Sequence, residues 1–188
     1  MLINNKHYKS IWFDTGSNHV KIIDQRKLPH LLEIVELKTS METMIAIKDM
    51  YVRGAPLIGV TAAFGFALAM REDPSDQGLE KAFDLLISAR PTAVNLEWAS
   101  HIMMNNLKSV DVSERVLKSM SIAVEMANDD IETNKRIGKH GAEVIRSIAA
   151  KKIDNSPVRI LTHCNAGWLA TVDRGTATAP MYEAADQG

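Results

Sequence analysis

The stretch Val52-Arg53-Gly54-Ala55-Pro56-Leu57-Ile58-Gly59-Val60-Thr61-Ala62-Ala63-Phe64-Gly65, running on through Phe66-Ala67-Leu68-Ala69-Met70, decides the fold. From Gly54 to Met70 the chain carries no charge for 17 residues, with three glycines and one proline among them. A membrane span needs about 20 apolar residues, so this run is short and interrupted for one. Pro56 suits a first helical turn, where its missing N–H has no partner to lose. The pattern predicts a helix from Pro56 to about Met70, apolar nearly all round and therefore central.

On the N-terminal side, Ile11-Trp12-Phe13 and Val20-Lys21-Ile22-Ile23 flank the turn-rich cluster Asp14-Thr15-Gly16-Ser17-Asn18. With Leu31-Leu32-Glu33-Ile34-Val35-Glu36-Leu37 they predict a small antiparallel sheet. Thr39-Ser40-Met41-Glu42 is a capping box that opens a helix through Met44, Ile45 and Ile47.

On the C-terminal side, Leu79, Ala82, Phe83 and Leu86 mark a helix ending at Arg90-Pro91, because a residue before proline leaves the α region. Two longer helices are expected next. One follows the cap-like Asp111-Val112-Ser113-Glu114 and carries Val116, Leu117, Met120, Ala123, Val124 and Ala127; the other carries Ile131, Ile137, Val144, Ile145 and Ile148. Gly138 and Ala142 would admit a close neighbour. Asn155-Ser156-Pro157 reads as a linker, Val158-Arg159-Ile160-Leu161-Thr162 as a strand, and the chain from about Ala170 as a helix weakened by Gly175 and Pro180.

One strand cannot make a sheet, and a parallel neighbour needs a crossover. The expected fold is thus mainly α with a small N-terminal antiparallel β-sheet, followed by the first strand and helix of a truncated α/β domain. The expected division is 1–155 for the first domain and 156–188 for the second.

The whole chain has 188 residues, within the usual size of about 100–200 for one domain, and 46% of them are hydrophobic, enough to bury a core. A net charge of −1 gives no support for nucleic-acid binding. Cys164 is the single cysteine, so no internal disulfide exists and a reducing, cytoplasmic compartment is expected. The first residues lack the apolar core of a signal peptide.

Three segments could carry chemistry. In Arg53-Gly54-Ala55-Pro56, small residues before a helix start would expose backbone N–H groups to an anion, and arginine adds a bidentate donor. The same residues would equally make a tight turn with a surface arginine. In Arg90-Pro91-Thr92-Ala93-Val94-Asn95, Arg90 could give the same anion a second guanidinium, or be a solvated helix-end residue. In Thr162-His163-Cys164-Asn165-Ala166-Gly167, a cysteine at a strand end sits where α/β ligand sites form, yet a lone cysteine also serves as a small buried hydrophobe. His163 should point to the opposite face from Cys164. The six histidines have no metal-ligand spacing, and neither a dinucleotide fingerprint nor a P-loop is present. Asp129-Asp130 with Glu132 reads as a solvated helix start.

Taken together, the segments at Val52–Gly65, Arg90–Leu96 and Thr162–Gly167 closely resemble the methylthioribose-1-phosphate isomerase family. Asn134–Ala142 and Gly175-Thr176-Ala177 add weaker matches. That family shares a superfamily with the α, β and δ subunits of initiation factor 2B and with ribose-1,5-bisphosphate isomerases. The variant Asn165-Ala166-Gly167-Trp168-Leu169-Ala170 is similar to bacterial members, some acting on 5-deoxyribose 1-phosphate.

The resemblance implies a Rossmann-like second domain, conversion of a 5-substituted ribose 1-phosphate to the ribulose 1-phosphate, and no metal or nucleotide cofactor. It implies that Arg53, Gly54, Ala55 and Arg90 hold the phosphate and that Cys164 is the catalytic cysteine. It also implies a catalytic aspartate in a GADxI-like segment followed by an NGxxxNK-like one, and neither segment occurs among these residues. The chain thus reads as the first half of a member, inactive alone. Its residues 158–162 are expected to be covered in a homodimer or by a chain carrying the C-terminal half. Asp173-Arg174 stands before Gly175 where the resemblance leads one to expect an aromatic residue.

Overall fold

The computed structural model describes residues 1–154 and 156–188. A short hairpin, β1 (Leu2–Ile3) and β2 (Lys6–His7), precedes a three-stranded antiparallel sheet of β3 (Ile11–Asp14), β4 (His19–Ile23) and β5 (Ile34–Leu37), in that order. In register, Phe13 faces Val20 and Ile22 faces Val35. Alternation puts Ile11, Val20, Ile22 and Leu37 into the core. The expected sheet is present, with a shorter third strand. Both His30 and Leu31 donate their backbone N–H to the Lys27 carbonyl, closing a turn that delays extended structure until Ile34.

The capping box forms as read: Thr39 Oγ1 accepts from the Glu42 N–H at 3.1 Å, and Glu42 Oε2 accepts from the Thr39 N–H at 3.3 Å. It starts α1 (Ser40–Lys48). Next comes α2 (Ala55–Glu72), with every residue from Leu57 to Met70 buried. By length and composition α2 could cross a membrane, but it is the core helix here, packed against α1, α3 (Asp76–Ser88), α4 (Val94–Lys108) and α5 (Arg115–Ala150). Each large apolar side chain removed from water along it contributes roughly 1.5–3 kcal/mol.

Three expectations are corrected. The two long helices are a single 36-residue helix, α5. Ile131 continues the four-residue step from Ala127, and no glycine or proline lies before Gly138 to break it. Asp129 and Asp130 are therefore in mid-helix and not at a helix start. Residues 158–162 form no strand among the described residues; Ile160 and Leu161 are exposed. A strand is defined by its hydrogen-bonded neighbour, and none is present to pair with this stretch. The last helix, α6, spans Ala179–Asp186 and not the chain from Ala170, with Pro180 in its first turn where proline is tolerated. Of the expected linker, Asn155 lies outside the described residues.

The two ends of α5 serve different neighbours: its first half packs on α2 and its second half on α6. Gly138 and Ala142 do admit a close neighbour, since a Cβ on Gly138 would lie 3.3 Å from the Ala179 carbonyl oxygen.

Candidate active site

The start of α2 carries the first candidate segment. Gly54 is its N-cap with φ 94° and no side-chain cap, so the N–H groups of Ala55 and Leu57 have no acceptor within the helix. Arg53 is exposed but tethered on one side, its Nη2 donating to the Gln25 carbonyl at 2.8 Å.

Gln25 belongs to a rigid shelf. The buried Asp24 carboxylate accepts from Arg26 Nε at 3.0 Å and from Arg26 Nη2 at 2.8 Å. That ion pair holds the Asp24 carboxyl below its ordinary value despite burial. The Arg26 guanidinium lies 3.3 Å above the Tyr51 ring, and the Gln25 N–H donates to the Tyr51 carbonyl at 2.9 Å. The shelf thereby fixes Tyr51 and the chain leading to Arg53.

The residues just after the third candidate segment meet this shelf. Cys164 is a free, exposed thiol in a left-handed backbone conformation, φ 70°, and its carbonyl accepts from the Ala166 N–H. After Gly167 a 3-10 turn, Trp168–Ala170, docks on the N-terminal layer. Gln25 Nε2 donates to the Leu169 carbonyl at 2.7 Å, and Ser10 Oγ donates to the Trp168 carbonyl at 3.0 Å. A Cβ on Gly54 would lie within 2.4–2.6 Å of Ala170 Cα, O and Cβ, so only glycine lets the two segments approach this closely. Beyond the turn, Asp130 Oδ2 accepts from the Val172 N–H at 2.7 Å. A Cβ on Gly175 would lie 1.9 Å from the Gly167 carbonyl carbon. Trp168 stacks on Tyr182 of α6, ring centroids 4.0 Å apart.

The structure thus joins Arg53, Gly54 and Ala55 to the turn that follows Cys164. Arg90 sits half-buried in the connection between α3 and α4, and its side chain enters no hydrogen bond or ion pair among the described residues. Its segment reaches α2 through Asn95, whose carbonyl oxygen would lie 2.9 Å from a Cβ on Gly59. A cleft of about 450 Å³ between α2, α4 and α5 is lined by Pro56, Asn95, Trp98, Met126 and Asp130, with none of Arg53, Arg90 or Cys164 in its wall.

Asp173 and Arg174 are occupied elsewhere. The nearly buried Asp173 carboxylate takes the N-terminal ammonium at 3.2 Å and His7 Nε2 at 2.9 Å. Arg174 pairs with Glu183 at 2.8 Å and Asp186 at 3.1 Å, securing the following helix. No three side chains among His, Cys, Asp and Glu converge to hold a metal among the described residues. Sequence reasoning missed Asp24, Gln25 and Asp130. The signal for the first two was a polar pair directly after the apolar strand run ending at Ile23.

Comparison with known proteins places this geometry. The model of the initiation factor 2 subunit family matches residues 51–188, and the chain belongs to that family. Over all 188 residues it is 53% identical to the methylthioribose-1-phosphate isomerase of Sinorhizobium medicae, covering 52% of that protein. It is also 53% identical to the enzyme of that name from Escherichia coli O45:K1, covering 51%. The chain spans about half the length of the curated relatives it matches. Among solved structures, 5-methylthioribose 1-phosphate isomerase from Pyrococcus horikoshii superposes with a TM-score of 0.79 at 34% identity, over 95% of this chain and 50% of that one. The δ subunit of initiation factor eIF-2B from A. fulgidus gives 0.80 at 39% identity, over 97% and 52%.

Proposed function

We propose that this chain is the N-terminal, substrate-phosphate-holding half of an aldose–ketose isomerase that converts a 5-substituted ribose 1-phosphate to the ribulose 1-phosphate. In this reading Arg53, Gly54, Ala55 and Arg90 hold the phosphate, and Cys164 is the catalytic cysteine. The observation that supports it is the close approach of Gly54 to Ala170, which packs the helix-start segment against the turn that begins four residues after Cys164. The names of the relatives supply the substrate class.

The chemistry asked of these residues is limited. A sugar 1-phosphate has its anomeric oxygen blocked by phosphate, so ring opening must be assisted and hydrogen moved from C2 to C1 with no net redox change. The α2 N–H groups and two guanidinium groups suit the phosphate charge. An acid/base carboxylate opposite Cys164 would come from outside these residues, as the resemblance implies, and such groups contribute about 10²–10⁴-fold each. The 188-residue chain alone is therefore proposed to be without turnover. Residues 156–188 are the start of a second, Rossmann-like domain in this scheme, and residues 158–162 pair with a second copy or with a chain carrying the remaining half. A lone, exposed, unpaired cysteine accords with the cytoplasm.

The A. fulgidus δ subunit supports a second reading, a regulatory protein that senses a phosphorylated ligand without turnover, because its fold matches equally well. Retention of Cys164 together with Arg53 and Arg90 in the sequence favours the isomerase. Two measurements test the proposal. Sulfate or phosphate titration by calorimetry should weaken by roughly 1.5–3 kcal/mol in Arg53→Ala and in Arg90→Ala; unchanged affinity in both rules out the phosphate assignment. An assay with methylthioribose 1-phosphate and 5-deoxyribose 1-phosphate, on protein verified by intact mass, should show no turnover. Turnover lost in Cys164→Ser would mean that a carboxylate within this chain completes the site.

A further inference from the structure

We propose that Gln25 is a positioning residue: it fixes the turn that follows Cys164 to the arginine of the phosphate cradle. The inference rests on the phosphate reading above and adds to it a residue that touches neither the phosphate nor the reacting carbons. Gln25 is 2% exposed, and a buried amide is tolerated only when its polar atoms are used. Its carbonyl accepts from Arg53 Nη2 at 2.8 Å, its N–H donates to Tyr51, and its side-chain Nε2 donates to the Leu169 carbonyl at 2.7 Å. Because a carbonyl can only accept, the amide orientation at Leu169 is set by chemistry. Asp24 and Arg26 on either side are locked to each other and to the Tyr51 ring, so residue 25 has little freedom to follow either partner.

One residue therefore holds both halves of the site, and does so through separable atoms. The backbone oxygen restrains a guanidinium that is otherwise free to sweep through solvent. The side chain restrains the turn five residues beyond the thiol. Replacing the side chain leaves the Arg53 tether in place and cuts only the link to the turn.

Cys164 is the sole cysteine, so alkylation by iodoacetamide reports on it alone. Bound inorganic phosphate should slow alkylation of the wild-type chain about two- to fivefold near neutral pH, because a nearby anion disfavours the thiolate. In Gln25→Met, and in Gln25→Asn, whose shorter amide falls short of Leu169, calorimetric phosphate affinity should stay within about twofold while the phosphate effect on the alkylation rate disappears. Ser10→Ala, which removes the other hydrogen bond to the same turn, should keep the effect. Far-UV circular dichroism confirms folding of each variant. A full phosphate effect in both Gln25 variants, or an equal loss in Ser10→Ala, overturns the proposal. So does a wild-type chain that binds phosphate through Arg53 with no effect on Cys164, which leaves the phosphate site standing. A wild-type chain that binds no phosphate sinks the phosphate reading and this inference with it.

Discussion

Gly54→Ala tests the joint between the two segments most directly. The position has φ 94°, a conformation that costs a residue with a Cβ about 1–3 kcal/mol. The new methyl would lie 2.4 Å from Ala170 Cα, 2.5 Å from its carbonyl oxygen and 2.6 Å from its Cβ, and overpacking of this kind costs about 1–3 kcal/mol. The sum is about 2–6 kcal/mol. Should the Trp168–Ala170 turn swing off α2 to relieve the contact, the Gln25–Leu169 and Ser10–Trp168 hydrogen bonds are lost instead, at about 0.5–1.5 kcal/mol each. Either route leaves a loss of at least about 2 kcal/mol, which for a chain of this size lowers the melting temperature by roughly 4–8 °C. Urea and thermal unfolding followed by circular dichroism measure it. Adding Ala170→Gly should rescue little, since two of the three offending atoms belong to the backbone. A single variant within about 0.5 kcal/mol of wild type would refute the packing argument.

Arg115 is 3% exposed and donates to the carbonyls of Leu107, Val110 and Pro74 and to Asp76 at 2.6 Å; Arg115→Met should cost about 3 kcal/mol in urea unfolding, with little recovered by Arg115→Lys, whose single ammonium cannot span four acceptors. Burial raises the Asp130 carboxyl above its ordinary value, so the folded state holds the proton more tightly and wild-type stability falls as pH rises from the unfolded value through the folded one. Asp130→Asn keeps an oxygen for the Val172 N–H, and its stability relative to wild type should climb as pH rises above the ordinary carboxylate range; a difference independent of pH would refute this. Asp14 behaves oppositely: a hydrogen bond from Lys21 lowers its carboxyl to about 2, so its contribution is present above the unfolded value and lost as pH falls toward 2, a slope that Asp14→Asn should flatten in acid titrations. In Gly141→Ala the new Cβ would lie 2.2 Å from Pro180 Cγ, so α6 should shift, loosening the Trp168–Tyr182 stack and changing tryptophan fluorescence at a cost of about 1–3 kcal/mol.

What was legible in the sequence is what short-range chemistry decides. The capping box at Thr39–Glu42 closes within four residues, and it formed as read. Helix α2 announced itself because an uncharged run with Pro56 at its start has one satisfactory home, the centre of a helical layer. The misreadings at Val158–Thr162, Asp129-Asp130 and Gln25 depend on partners distant in the chain, whereas the single helix α5 follows from an unbroken local periodicity. Val158–Thr162 has strand composition, but composition supplies no neighbour to bond with. The acidic run at Asp129-Asp130 looked solvated because its acceptor role toward Val172 joins residues 42 apart. Gln25 was invisible for the same reason, since its amide meets Leu169 across 144 residues.

These long-range contacts also divide the site in a physically definite way. The turn at Trp168–Ala170 lies on the N-terminal layer by contacts contained in this chain: Ser10, Gln25, Gly54 and Asp130 each hold it or the residues just beyond. Among the described residues, the stretch immediately before Cys164 has no such support, and its apolar residues Ile160 and Leu161 stand in solvent. The thiol therefore sits between a fixed end and a free one. In the proposed enzyme the fixed end sets the height of Cys164 over the phosphate cradle. Pairing of residues 158–162 with a neighbouring strand would set its direction, because a strand commits alternate side chains to opposite faces. On that division, a partner that supplies only the strand and no acid/base carboxylate should order the thiol without starting turnover. Phosphate binding and Cys164 reactivity would respond to such a partner, and isomerisation would not.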